Sequence, residues 1–400
     1  MFRSGNKHIW LGVPRDSFFT WGLVASALQG LSAVALLAVS AWLISRAAEV
    51  TSIVYLGIAI VGVRGFAVGR ATFRYSERLL LHESAFRMLA SIRPVLFSKV
   101  APFIPAGMVQ AGRGETMAKI VNDVDTLQNL SLRVIAPLVQ SIVVAAASVV
   151  FMWMLLPASG FALLLILIAA FFVAIPVSAR LARASDISES PTKAQMANLS
   201  LDLLENLDVY IAYGWIDSKR VEIAEAENRL QKSLTKSAVS NGLGSALFSL
   251  LSTLAVLSGA FFGGTSVIGQ VLPAATLAVF VLLPLAIFEV VQNAQPTLSA
   301  LRKFKVSSGR VTALLEREVP SALRFESGEG KLETFESIDL RSVSVTYPAS
   351  PQPSLVDFDL SFKLGDSLMI IGESGAGKST LALLLTRLIQ PSSGEFLING

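Results

Sequence analysis

The hydrophobic pattern divides the chain into six long apolar runs, followed near the C-terminal end by short stretches of strand-like alternation. The first run covers residues 18–44, and the second begins near Ile53 and turns charged from Arg64 onward. Two more lie at residues 134–156 and 161–177, separated only by Pro157, Ala158, Ser159 and Gly160. The last pair lies at residues 243–262 and 271–291, again parted by a short glycine-bearing break. A helix crossing hydrocarbon needs about 20 apolar residues, so each run predicts a membrane-spanning helix. Trp21 and Trp42 are separated by about 31 Å of helix at 1.5 Å per residue, close to one hydrocarbon thickness. That spacing predicts that the two indoles mark the two interfaces of the first span.

After the sixth run, residues 298–318 read as a charged helical connector and residues 319–336, with Pro320, Gly328 and Gly330, as a linker. A soluble region begins near Ser337. Residues 340–347 alternate at strand period, residues 355–364 give a second strand candidate, and residues 396–400 give part of a third with its turn. The predicted organisation is a polar lead-in at 1–17, a six-helix membrane domain at 18–300, a connector and linker at 301–336, and a soluble domain from 337.

Composition agrees. Hydrophobic residues make up 53% and charged residues 16%, with a mean hydropathy of +0.61. Soluble domains carry about 25% charged residues, so the chain falls in the membrane class. A net charge of +4, spread along the chain, argues against a nucleic-acid partner. With no cysteine, disulfides, thiolate metal sites and thiol catalysis are excluded. The first apolar run is far longer than the hydrophobic region of a signal peptide, so no signal peptide is expected.

The charges also orient the spans. Two long segments between runs hold most of the basic residues, Arg78, Arg87, Arg93, Lys99, Arg113, Lys119 and Arg133 in one, and Arg180, Arg183, Lys193, Lys219 and Arg220 among those in the other. Arg46 is the one clear basic residue in the three short loops. The positive-inside tendency places the long segments and both ends of the chain in the cytoplasm, and the spans in the cytoplasmic (inner) membrane. The lead-in, with Arg3, Lys7 and a solvated His8, lies on that side too. Residues 115–124 and 206–215 are candidates for bends that meet a soluble domain, with an ordinary amphipathic helix as the plainer alternative.

The sharpest motif is I-G-E-S-G-A-G-K-S-T, which ends at Thr380 and fits the phosphate-binding pattern G-x-x-x-x-G-K-[ST]. An accidental match in a chain this long has a chance of roughly one or two per cent. The glycines Gly372, Gly375 and Gly377 allow positive φ and close approach of backbone to phosphate. Glu373, Ser374, Ala376 and Thr380 complete the loop, Lys378 is expected to reach the β- and γ-phosphates, and Ser379 to ligate Mg²⁺. Residues 367–371 read as a buried strand entering the loop and residues 381–385 as the helix leaving it.

A second cluster lies on the second span. Arg70, Arg74, Arg78 and His82 recur every four residues on one helix face. Arg64 precedes His82 by about five full turns and shares its azimuth. A charge inside an apolar run is costly against lipid, so Arg64 is expected to face the bundle interior or a water-filled cavity. Adjacent cations repel one another, and a bound anion relieves that. The alternative for Arg70, Arg74 and Arg78 is that the helix is leaving the bilayer there, where arginines meet lipid phosphates or pair with Glu77 and Glu83.

Six spans, long cytoplasmic helical extensions and a C-terminal P-loop domain together resemble an ABC exporter half-transporter, a type 1 exporter domain followed by the start of an α/β nucleotide-binding domain. Tyr347 in V-T-Y-P resembles the family's A-loop aromatic that stacks on adenine, and the run P-S-S-G-E-F-L-I-N-G is similar to its usual continuation after the P-loop helix. Within the membrane half, G-V-R-G-F-A-V-G-R-A-T-F-R-Y-S-E-R-L-L-L-H-E closely resembles the CydC-type subunits of thiol-reductant exporters. So do L-S-A-V-A-L-L-A-V-S-A-W-L-I-S and N-D-V-D-T-L-Q-N-L-S-L-R-V-I-A-P.

The resemblance implies ATP and Mg²⁺ as cofactors and a CydD-like partner in a heterodimer. It also implies export of glutathione and cysteine from the cytoplasm in support of cytochrome bd assembly. Haem is the other anionic candidate for the arginine stripe, with His82 as an axial ligand. A haem-binding membrane scaffold and a lipid, drug or peptide exporter on the same scaffold remain open. The resemblance places a Q-loop glutamine, signature sequence, Walker B carboxylates and switch histidine after Gly400. The 400 residues therefore read as a fragment of a longer chain, with a truncated gene product as the alternative; they carry no catalytic residue of their own and are not expected to hydrolyse ATP alone.

Overall fold

The computed structural model describes residues 12–50, 52–103, 113–316, 334–347, 350 and 352–400. The lead-in cations Arg3 and Lys7, His8, the linker residues Pro320, Gly328 and Gly330, and the side chains of Arg113, Lys119 and Arg183 lie outside the described residues. Among the described residues six helices are long and apolar enough to cross a membrane: Ser17–Ala47, Ile53–Val100, Ile120–Leu155, Pro157–Leu181, Ile216–Ile268 and Ala274–Glu316. These match the six runs of the hydrophobic pattern, extended at one end by polar helical residues. The described residues form two compact units, one of Gly12–Phe86 and Gln128–Lys305, the other containing Arg87–Leu127 and Val306–Gly400.

In the first unit, helix α1 (Ser17–Ala47) opens on Asp16, whose carboxylate accepts a hydrogen bond from the Phe19 amide at 3.0 Å. This satisfies one of the unpaired amides at the helix start. A single turn at Ile53–Leu56 leads into α2 (Gly57–Val100). Helix α3 (Arg113–Leu127), a π-turn at Ser131–Ile135 and α4 (Ala136–Leu155) form the third span. Only Leu156, in extended conformation, separates α4 from α5 (Pro157–Ala169). The turn is tighter than the four-residue break of the sequence pattern, because Pro157 starts the next helix at once, where its missing amide costs nothing. A Cβ on Gly160 would stand 2.6 Å from the Trp153 backbone, so only glycine permits this closure.

Helix α6 (Ile175–Glu205) follows a second π-turn, then the six-residue α7 (Leu207–Ala212) and the long α8 (Ile216–Ile268). The expected bend at residues 206–215 is therefore present, as a helix break at Asn206 and a turn at Gly214 with φ +67°. Residues 115–124 instead lie inside the regular helix α3. Helices α9 (Leu277–Val291) and α10 (Thr297–Glu316) complete the set.

The core of this unit lies where α1, α4, α8 and α9 meet, around Val144, Phe248, Phe280, Leu283 and Ile287. Trp42 packs against this core while Trp21 is 65% exposed, so only one of the two indoles faces outward. The second span is the exception to the packing. Only 6% of its most apolar stretch is buried, against 22–56% in the other five.

The second unit holds a three-stranded antiparallel sheet in the order β2-β1-β3, from β1 (Ser337–Val345), β2 (Leu355–Lys363) and β3 (Ser393–Ile398). Leu340 sits opposite Leu360 on one side and Phe396 on the other. Ile338, Leu340, Val343 and Val345 alternate inward and pack with Leu381, Leu384 and Ile389. Helix α11 (Lys378–Leu385) follows the glycine-rich loop. The strand expected at residues 367–371 does not form, and Met369 and Ile371 are 84% and 82% exposed. A stretch apolar on both faces becomes a strand only with neighbours on both sides, and no described strand pairs with it.

Candidate functional site

The glycine-rich loop is built at the start of α11. Gly375 and Gly377 have φ of +92° and +84°, the left-handed conformation that the sequence pattern asked of its glycines. Gly372 does not adopt it, and a Cβ there would make only an ordinary contact with the Ala376 methyl at 3.4 Å. Gly377 has no such freedom, since a Cβ would lie 2.5 Å from the Ser354 carbonyl oxygen at the start of β2. The Ala376 amide donates to the Glu373 carbonyl at 3.2 Å, closing the turn that contains Ser374.

Lys378 folds back over this loop, its ammonium donating to the carbonyls of Gly372 at 2.9 Å and Glu373 at 2.7 Å. Ser379 is exposed one residue further on, whereas Thr380 is buried. Tyr347, 33 residues earlier, places its hydroxyl 3.2 Å from the Thr380 hydroxyl. The A-loop candidate and the P-loop helix therefore meet, through the tyrosine hydroxyl, with the ring half-buried against the sheet core. An exposed serine hydroxyl, a lysine held by loop carbonyls and two left-handed glycines suit a nucleotide phosphate with its Mg²⁺.

The membrane unit holds a cavity of about 740 Å³. Arg70, Arg74, Arg78 and His82 all line it, as the four-residue spacing on α2 requires. Arg64 does not: it is exposed and lies about 9 Å further along the helix than Arg70, beyond the cavity's lining. His82 lies beside Phe86, ring centroids 6.0 Å apart. Arg133 and Lys303 reach the same space from other segments, as do Gln140, Glu289 and Asn293.

Two carboxylates temper this cationic wall. Arg70 Nη2 lies 3.4 Å from Glu289, whose side chain is 71% exposed. Glu77 accepts a hydrogen bond from the Ser26 hydroxyl at 2.9 Å. Gln140 donates to the Ser26 carbonyl at 3.1 Å and to the Gln29 side chain, which ties α4 to α1 beneath the cavity. Among the described residues Arg74, Arg78, Arg133 and Lys303 have no ion-pair partner within 4 Å. A cavity with this excess of cations over carboxylates suits an anion, which relieves the repulsion between neighbouring cations.

Arg133 counted in the sequence only as cytoplasmic charge, and Lys303 only as one of the charges of the connector at residues 298–318. Glu289 carried a readable signal, being the sole charged residue of the apolar run 271–291. Among the described residues no group of three or more His, Asp or Glu side chains is placed to hold a metal ion.

Comparison with known proteins matches these features. The model of the ABC transporter transmembrane region covers residues 22–291, and that of the ABC transporter covers residues 355–400. The chain is 29% identical, over 98% of its length and 68% of the relative, to the glutathione/L-cysteine transport system ATP-binding/permease protein CydC of Escherichia coli strain K12. It is 25% identical to the CydD protein of the same description from Bacillus subtilis strain 168, over 96% of this chain and 66% of the relative. The ATP-dependent lipid A-core flippase of Yersinia pestis bv. Antiqua (strain Antiqua) is 22% identical over 86% of this chain and 57% of the relative. The chain thus spans about two thirds of the length of its CydC and CydD relatives. The transmembrane match alone covers more than half of the 400 residues, and the chain belongs to the ABC transporter family, as a multi-pass membrane exporter homologous to CydC and CydD.

Proposed function

We propose that the chain is the CydC-like subunit of a heterodimeric ABC exporter that moves small thiol reductants, glutathione and cysteine, out of the cytoplasm. The observation that carries this reading is the cavity in the membrane unit, lined by Arg70, Arg74, Arg78, Arg133 and Lys303, where a small peptide anion fits. Similarity to CydC along nearly the whole chain supports it. The exposed second span supports a partner subunit. Its apolar face and Arg64 need cover, because a lone arginine against lipid costs several kcal/mol, roughly 3 or more. A CydD-like chain is the partner, and cytochrome bd assembly is the process served. The chain sits in the cytoplasmic membrane with both ends in the cytoplasm, and its domains divide at residues 17, 300 and 336.

When bound, ATP would supply the transferable phosphoryl group and Mg²⁺ would supply charge neutralisation on its phosphates. On the protein side, Lys378, now held by the Gly372 and Glu373 carbonyls, would bind the phosphate oxygens, and the exposed Ser379 hydroxyl would hold the metal. Tyr347 positions the base through its ring while its hydroxyl stays with Thr380. In the cavity the arginines bind and orient the cargo.

ATP-dependent uptake of labelled glutathione into inverted vesicles holding the complete protein and its partner tests the reading. Uptake that requires ATP and saturates is expected, and ATP turnover without any glutathione uptake overturns it. His82 favours a second reading, haem binding on the same wall, since its imidazole lines the cavity one helical turn from Arg78. A haem absorption band in the purified protein that disappears in His82→Ala supports that alternative.

A further inference from the structure

The cavity is not a uniform anion site, and its two carboxylates play different parts. Glu77 is engaged by the Ser26 hydroxyl between α1 and α2. Glu289 is held more loosely. Its one described partner is Arg70 at 3.4 Å, longer than the 2.7–2.9 Å usual for a charge-assisted hydrogen bond, and its side chain is 71% exposed. It therefore keeps most of its acceptor capacity open toward the cavity. A wholly anionic ligand gains nothing from a carboxylate in the wall and is repelled by it. A ligand that carries an ammonium group beside its carboxylates is attracted at both ends.

The spacing fits such a ligand. Arg74 and Arg78 lie one and two turns of α2 beyond Arg70, about 6 and 12 Å along the helix. An extended tripeptide spans about 10 Å, so an ammonium at Glu289 and a terminal carboxylate between Arg74 and Arg78 are reached together. We propose that Glu289 is the ammonium subsite of the cavity and makes it selective for a zwitterionic peptide thiol over a purely anionic ligand. This rests on the thiol-export reading above and adds to it the group that discriminates.

The test uses the complete protein with its partner subunit in lipid nanodiscs and two probes, glutathione and N-acetylglutathione, which lacks the ammonium charge. The unmodified protein is expected to bind glutathione roughly tenfold more tightly, the range of one hydrogen bond between charged groups. Glu289→Gln keeps the side-chain size and is expected to weaken glutathione about tenfold while leaving N-acetylglutathione unchanged or a few-fold tighter, since the repelling charge is gone. The preference then vanishes. Equal weakening of both probes overturns the proposal, because Glu289 then acts only by positioning Arg70; no weakening of either also overturns it. An unmodified protein that binds both probes alike overturns this subsite alone. One that binds neither overturns the thiol reading together with it.

Discussion

Asp123 grips Arg310 at two points, its Oδ2 accepting from Nε at 2.7 Å and its Oδ1 from Nη2 at 2.5 Å. The Ser307 hydroxyl adds a third hydrogen bond, to Oδ1 at 2.8 Å. The carboxylate is 8% exposed and the guanidinium 60%, so the acid is the member that suffers when the pair is broken. Arg310→Ala leaves a buried carboxylate with one hydroxyl donor and is expected to cost about 1–3 kcal/mol. Arg310→Lys should recover only part of this, since an ammonium cannot reproduce the two-point fork. Thermal unfolding of the complete protein checks it, with a fall of several degrees expected for the alanine variant. A double variant with Asp123→Ala should be less harmful than the sum of the single changes.

The arginines of α2 separate into two groups by position. Arg74 and Arg78 line the cavity and Arg64 does not. Arg74→Ala or Arg78→Ala is expected to raise the glutathione concentration for half-maximal uptake roughly tenfold, the effect of losing one charge-assisted hydrogen bond. Arg64→Ala should leave that concentration nearly unchanged and instead lower the yield of the assembled heterodimer, measured by co-purification of the partner. Equal loss of glutathione affinity in all three variants would count against the cavity as the cargo site.

These positions also mark how far the sequence carries the structure. The six spans and the P-loop helix depend on local pattern, apolar run length and a loop motif, and both are present. Arg70, Arg74, Arg78 and His82 meet in one cavity because a four-residue spacing on a single helix is local as well. Arg64 shares the azimuth of His82 by helix arithmetic, yet depth along the helix, which depends on neighbours, takes it out of the cavity. Arg133, Lys303 and Glu289 come from three other segments, and only tertiary packing brings them to the α2 face. Residues 367–371 fail as a strand for the same reason: their apolar character calls for neighbours, and local pattern cannot supply these.

The break around α7 gives a dependence on pH. Asp202 accepts from Lys219 at 2.7 Å and from the Tyr210 hydroxyl at 2.7 Å, and Asn206 adds a third donor at 2.9 Å. The Lys219 hydrogen bond, then that of Tyr210, holds the Asp202 carboxyl below its ordinary 3.8. Its contribution is complete above pH 3.8 and is lost as pH falls through the lower folded value. The same hydrogen bond raises the Tyr210 hydroxyl above its ordinary 10.0, so its contribution is complete below pH 10 and is lost as pH rises through the higher folded value. Amide hydrogen exchange in α7, corrected for intrinsic rates, is therefore expected to be flat between pH 5 and about 8. Asp202→Asn should quicken it throughout that window.

The loop at the start of α11 separates two ways of losing nucleotide binding. Lys378→Ala removes a charge and leaves the backbone as it is, so the fold of the region should survive while ATP affinity falls by about 10–100-fold. Gly377→Ala leaves every polar group in place but puts a methyl 2.5 Å from the Ser354 carbonyl oxygen, at a φ of +84° that alanine adopts at a cost. The loop must then move away from β2, and Lys378 with it. ATP affinity should fall at least as far, accompanied by faster hydrogen exchange in residues 372–380 that the lysine variant does not show. If both variants lost affinity with unchanged exchange, the close approach of Gly377 to Ser354 would have no part in shaping the loop.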